Sequence, residues 1–108
     1  MVKRGDIWLV TLNPTVGTEI QKTRPCLIIS PDEMNNILRR TIVAPLTSGS
    51  HPAPFRAPVT FQRRDGLILL DQIRTVDRQR MIKRLGPIDD ASLAAVLAIL
   101  SGMFASAP

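Results

Sequence analysis

The sequence predicts a mainly β fold with helices, built as a small barrel or as two packed sheets. Three observations carry that reading. Short apolar, β-branched runs separated by Pro, Gly and Asn fill the first three quarters of the chain. Several of them, such as Leu67-Ile68-Leu69-Leu70, are apolar at consecutive positions, so both faces need cover. Near the C-terminus the apolar spacing changes to that of a helix.

Along the chain, strands are expected over Ile7 to Leu12, Cys26 to Ser30, Thr41 to Leu46, Ala57 to Phe61 and Leu67 to Ile73. Ser30-Pro31-Asp32-Glu33 combines a hydroxyl, a helix-starting proline and a glutamate three residues on. That is a capping box, and it predicts a short helix over Pro31 to Ile37 inserted between strands. Asp89 or Asp90 can cap a second helix, whose Leu93, Val96, Leu97, Leu100, Met103 and Phe104 follow the helical spacing. No residue from Ala91 to Pro108 is charged. Such a helix either is partly covered by a second subunit or is an Ala-rich helix with a bland exposed face. Asn13 to Thr23 and Thr47 to Pro54 are left as the main loops.

A chain of 108 residues without repeat or linker fits one domain, 1–108, and a hydrophobic share of 44% suffices for a core. Eleven Arg and three Lys give a net charge of +5. This suits phosphate contacts but equally a soluble basic surface. Cys26 is the only cysteine, which excludes a disulfide framework and a cysteine metal site, and its apolar setting reads as a buried structural thiol. The run Ile7 to Val10 is too short for a signal-peptide core, and no stretch approaches the roughly 20 apolar residues of a membrane span. A cytoplasmic protein with no membrane contact is expected. Phosphate-binding glycine loops, paired histidines, metal-ligand clusters and helix-turn-helix patterns are all missing, so no metal or cofactor is expected. His51 stands alone, which excludes a two-histidine acid–base ribonuclease.

Three segments place polar side chains at the ends of apolar strands. In Gly17-Thr18-Glu19-Ile20-Gln21-Lys22-Thr23-Arg24-Pro25, a carboxylate and a guanidinium flank further polar groups, and Pro25 biases Arg24 toward an extended conformation. The alternative is a surface ion pair of Glu19 with Arg24 or Lys22. In Thr47-Ser48-Gly49, two hydroxyls end a strand, as chemistry or as a turn held by side-chain to backbone bonds. Directly after the apolar residues Leu67 to Leu70 come Asp71, Gln72, Arg74 and Asp77. Gln72 suits a base edge and Arg74 a phosphate, or Asp71, Arg74 and Asp77 form a structural network. Phe55 is a candidate stacking platform or a core residue.

Together these segments resemble the MazF/PemK/Kid family of toxin ribonucleases. The likeness runs through Lys3-Arg4-Gly5-Asp6-Ile7-Trp8, Asn13-Pro14, Gly17-Thr18-Glu19, Thr23-Arg24-Pro25, Pro45-Leu46-Thr47-Ser48 and Ile68 to Asp77. The resemblance implies an SH3-like barrel of the CcdB/PemK kind, with a short inserted helix and a C-terminal helix. It implies a homodimer and metal-independent, sequence-specific cleavage of single-stranded RNA, checked by an acidic antitoxin of the MazE/PemI/Kis type. By position, Arg24 and Thr47 match the family's principal catalytic pair and Glu19 a carboxylate assigned there as a base. Thr18, Lys22, Thr23, Ser48, Phe55, Asp71, Gln72 and Arg74 are then expected to bind RNA. Thr23 stands where some members carry His, and Leu69 where at least one carries a functional Arg. The resemblance implies 2′-oxygen attack, giving a 2′,3′-cyclic phosphate and a 5′-hydroxyl. The competing readings are a CcdB-like gyrase inhibitor and a non-catalytic RNA-binding barrel.

Overall fold

The computed structural model describes residues 1–107. Strands β1 (Asp6–Thr11) and β2 (Thr23–Ile28) are followed by helix α1 (Asp32–Ile37) and strand β3 (Arg40–Thr47). Strands β4 (Arg56–Phe61), β5 (Arg64–Leu69), β6 (Arg74–Asp77) and β7 (Met81–Pro87) lead into helix α2 (Asp90–Met103). All pairings are antiparallel, in the order β4-β5-β3-β2-β1-β7, with β6 also paired to β3. This is the mainly β fold expected, an SH3-like barrel with an inserted and a C-terminal helix.

Strand β2 shows why both faces had to be apolar. Leu27 joins one core cluster with Ile7, Ala44, Ile68 and Leu70, while its neighbours Cys26 and Ile28 join another with Val10, Val43 and Val76. Alternate side chains of a strand point to opposite faces, so a strand between two cores cannot afford a polar face. Helix α2 covers the first cluster with Val96, helped by Leu93, Ile99 and Leu100. Burial pushes the Cys26 thiol up to about 12, partly opposed by Arg74 and Arg24, so it stays a protonated packing group.

The run Leu67 to Ile73 is not one strand. β5 ends at Leu69, a 3-10 turn spans Leu70–Gln72, and the chain rejoins β3 as β6. Leu70 is fully buried and its N–H goes to the Phe55 carbonyl at 3.2 Å, which turns Asp71 and Gln72 away from the core. Strand β7 has no counterpart among the expected strands, because Lys83 and Arg84 break its apolar pattern. Its position at the sheet edge explains the charges. Arg84 grips Asp6 of β1 through Nε at 2.9 Å and Nη2 at 3.1 Å.

The capping box does not form. Ser30 is buried and donates to Asn35 Oδ1 at 2.6 Å, so Pro31 caps α1 without a side-chain bond. Thr41 Oγ1 also donates to Asn35 Oδ1, at 2.8 Å, and these partners win Ser30 for the interior. For α2 the cap is Asp89 rather than Asp90, its carboxylate accepting from Ser92 N at 3.0 Å and Ser92 Oγ at 2.7 Å. The expected apolar face is corrected at its end: Met103 and Phe104 are 40% and 72% exposed, while Ile99 packs inward. Phe104 follows the last helical residue, so helical spacing no longer governs it. Pro108 lies outside the described residues. No described helix is long and apolar enough to cross a membrane.

Candidate functional site

The loop between β1 and β2 is fixed by side chains from the far end of the sequence. Arg74 Nη1 donates to the Leu12 carbonyl at 2.9 Å, and Arg80 Nη1 donates to the Thr11 carbonyl at 3.3 Å and to that of Asn13. Gln72 Oε1 accepts from Ile20 N at 2.7 Å. The loop closes on itself through Leu12 N to Lys22 O at 2.9 Å and Lys22 N to Asn13 Oδ1 at 3.0 Å. Lys22 has a φ of 74°, a conformation that L-residues seldom hold unless the surroundings impose it.

This scaffold delivers Arg24 to the mouth of β2. Cys26 pairs with Pro45, and continuing that register by two residues brings Arg24 alongside Thr47. Arg24 gives Nε to the Gln21 carbonyl at 3.2 Å, and among the described residues it forms no ion pair with Glu19. Glu19 instead accepts from Val16 N at 2.6 Å. Thr47 Oγ1 accepts from Gly49 N at 3.2 Å, so the turn expected at this position exists, and the hydroxyl proton is left to donate elsewhere. A Cβ on Gly66 would lie 2.9 Å from the Thr47 carbonyl oxygen, so glycine there lets β5 close onto β3 behind Thr47.

Arg24, Thr47, Ser48, Thr18 and Gln72 line a hollow of about 380 Å³. A neighbouring hollow of about 460 Å³ is lined by Glu19, Arg56, Asp71 and Arg74, and shares Thr18, Ile20 and Gln72 with the first. The two form one polar furrow. Thr23 and Lys22 are exposed and lie outside the lining of both hollows. Phe55 is 38% exposed rather than a core residue, with the Arg56 guanidinium 5.7 Å from its ring centroid.

Among the described residues, Asp71, Arg74 and Asp77 form no network with one another. Asp71 instead takes Arg56 in a two-pronged ion pair at 2.9 and 3.2 Å, and Asp77 accepts from Gln79 N. The Arg56 guanidinium holds the Asp71 carboxyl below the usual carboxylate range. Arg56 and Arg80 escape a sequence reading, because their partners lie 15 and 67 residues away. The one available signal for Arg56 was its place at the head of a strand beside Phe55.

An arginine with donors to spare, two hydroxyls and a carboxylate around an open furrow at a barrel mouth suit contacts to a phosphodiester. The chain belongs to the PemK-like, MazF-like toxins of type II toxin-antitoxin systems, whose family model matches residues 3–104. It is 40% identical over 106 residues to the endoribonuclease PemK of Escherichia coli, covering 93% of this chain and 80% of that protein. It is 37% identical over 102 residues to the endoribonuclease EndoA of Bacillus subtilis, covering 89% and 88%. The crystal structure of MazF from Deinococcus radiodurans superposes with a TM-score of 0.83 at 26% identity, covering 94% of each chain.

Proposed function

We propose that this toxin is an endoribonuclease that cuts single-stranded RNA by attack of a ribose 2′-oxygen on the adjacent phosphorus. The P–O5′ bond breaks as the new P–O2′ bond forms, leaving a 2′,3′-cyclic phosphate and a 5′-hydroxyl. The 2′ proton passes to a base, and the departing 5′-oxygen gains one. The substrate brings its own nucleophile, so no metal ion is required. The observation that carries this reading is the pairing of Arg24 and Thr47 at the mouth of the barrel, with both the Arg24 Nη groups and the Thr47 hydroxyl proton free to donate.

Arg24 and Thr47 donate to the phosphorane oxygens, where charge builds up in the transition state. Arginine keeps its proton at neutral pH, so Arg24 acts by electrostatics rather than as an acid. Glu19 stands in the adjoining hollow as the acceptor of the 2′ proton. Thr18, Ser48 and Asp71 line the path of the strand, while Lys22, Thr23 and Phe55 flank it. Gln72 and Arg74 combine RNA contact with holding the loop that carries Glu19.

The family description supports a toxin paired with an antitoxin, and an RNA substrate suits a cytoplasmic one. The net charge of +5 favours an acidic one that lies over the furrow and competes with RNA. Exposed Met103 and Phe104, at the end of α2 in a stretch without charge from Ala91 on, support a homodimer. The test is incubation of the protein with a long transcript in EDTA, followed by mapping of the ends. New 5′-hydroxyl and cyclic phosphate ends are expected. RNA binding without new ends would leave a non-catalytic binder instead.

A further inference from the structure

Arg24 and Thr47 also form one wall of a third, smaller hollow that lies toward the β4–β5 hairpin, with a volume of about 190 Å³. Its other walls include Phe61, Gln62, Arg64 and Asp65, none of which the mechanism above employs. The Arg24–Thr47 pair therefore borders two hollows, one walled by the hairpin and the other continuous with the hollow that Glu19 lines. We propose that the hairpin hollow is a subsite for the base immediately 3′ of the cut, and that Gln62 and Arg64 read it. This rests on the cleavage reading given above.

The chemistry of the reaction sets the direction. The 2′-hydroxyl that attacks belongs to the nucleotide on the 5′ side of the scissile phosphate, and its proton acceptor, Glu19, lines the hollow continuous with one that Arg24 and Thr47 border. The nucleotide that leaves with the 5′-hydroxyl then extends away from Glu19, toward the other hollow that Arg24 and Thr47 border, which the hairpin walls. Unstacked bases of single-stranded RNA are held by aromatic faces and by hydrogen bonds to their edges. Phe61, half-buried against the core, supplies a face. Gln62 has both donors and an acceptor, and Arg64 a planar fork of donors. Asp65 in the same wall repels a phosphate but accepts from an exocyclic amino group. Its Oδ1 already takes the Thr60 hydroxyl at 2.6 Å, which fixes its orientation.

The hairpin itself gives independent support. Phe61 pairs with Arg64, so Gln62 and Arg63 alone make the turn, with φ of 51° and 64°. Both are left-handed, positions that two-residue hairpins usually fill with Asn-Gly. Folding alone would favour glycine, so side chains kept at this strained tip point to a use for them.

The test uses a short RNA with one cleavage site, carrying either its normal base or an abasic residue directly 3′ of the cut. Gln62 and Arg64 are exposed, so Gln62→Ala and Arg64→Gln leave the core intact. With the normal base, each should lower kcat/KM by about fivefold to tenfold, the scale of losing one base contact. With the abasic residue, wild type and both variants should cut at the same lowered rate, because the base that Gln62 and Arg64 contact is gone. A loss of equal size on both RNAs, or no loss on either, overturns the subsite while leaving the cleavage reading standing. A wild-type protein that makes no 5′-hydroxyl ends overturns that reading and the subsite with it.

Discussion

Two polar clusters sit at opposite ends of the β2–β3 pair, and they differ in how their hydrogen bonds are spent. At the α1 end, Ser30, Asn35 and Thr41 are 2%, 0% and 0% exposed. Their side chains bond to one another, to Ser30 O at 2.9 Å and from Ile42 N at 3.0 Å. At the other end, Arg24, Thr47 and Glu19 each make a bond to nearby backbone and turn their remaining capacity into an open furrow. Burial requires polar groups to satisfy each other, whereas a binding site needs groups held firmly but left partly unspent. Residue types alone do not separate the two clusters, since both contain a threonine beside other polar residues.

Substitutions should separate them by what is lost. Asn35→Ala strips the Ser30 and Thr41 hydroxyls of their shared acceptor and opens a gap, so it should cost about 3 kcal/mol or more of stability in urea unfolding. A loss under about 1 kcal/mol would mean that water or repacking replaces the amide. Arg24→Ala should do the reverse. Its unfolding midpoint should stay near wild type, while RNA cleavage falls by roughly 100-fold or more, and RNA affinity falls much less. Arg24→Lys should lie between them in rate, because it keeps charge but loses the fork. Equal losses in rate and affinity would make Arg24 a binding residue only.

Gly66→Ala probes how closely the furrow depends on the sheet behind it. The new methyl meets the Thr47 carbonyl, so β5 and β3 must move apart, and a cleavage loss of about tenfold is expected from displacing Thr47. Thermal melting would show whether the fold as a whole suffers instead. The smallest effect belongs to Asp71, whose carboxyl titrates lower in the folded chain than in the unfolded one. Its pairing with Arg56 therefore stabilises the fold above the unfolded value near 3.9, and that contribution is lost as pH falls through the lower folded value. Asp71→Asn should melt slightly below wild type at pH 7, with the gap closing toward pH 3. A gap independent of pH would show that packing, rather than charge, accounts for it.

The strands were legible where apolar residues are dense, as in Cys26 to Ile29 and Thr41 to Leu46, because burial on both faces leaves no room for other residues. Legibility failed at β7, where an edge strand carries Lys83 and Arg84, and at Leu70–Gln72, where a continuous apolar run hides a turn. In the candidate site, the furrow-lining positions of Arg24, Thr47 and Glu19 were within reach of a sequence reading, since each lies at a strand end or in a polar loop. Arg56 and Arg80 were not, because their importance comes from partners distant in sequence.

By itself the sequence determined the strand-rich class, the C-terminal helix, the lone inert thiol and the family, all of which depend on local composition, spacing and motif order. Only the tertiary structure decided which polar residues are spent and which are free. It turned Ser30 inward to Asn35, gave Asp71 to Arg56 rather than Arg74, and kept Glu19 from pairing with Arg24. The physical reason is that a hydrogen bond or ion pair depends on distance in space. Strand register and turn geometry set that distance for residues far apart in the chain.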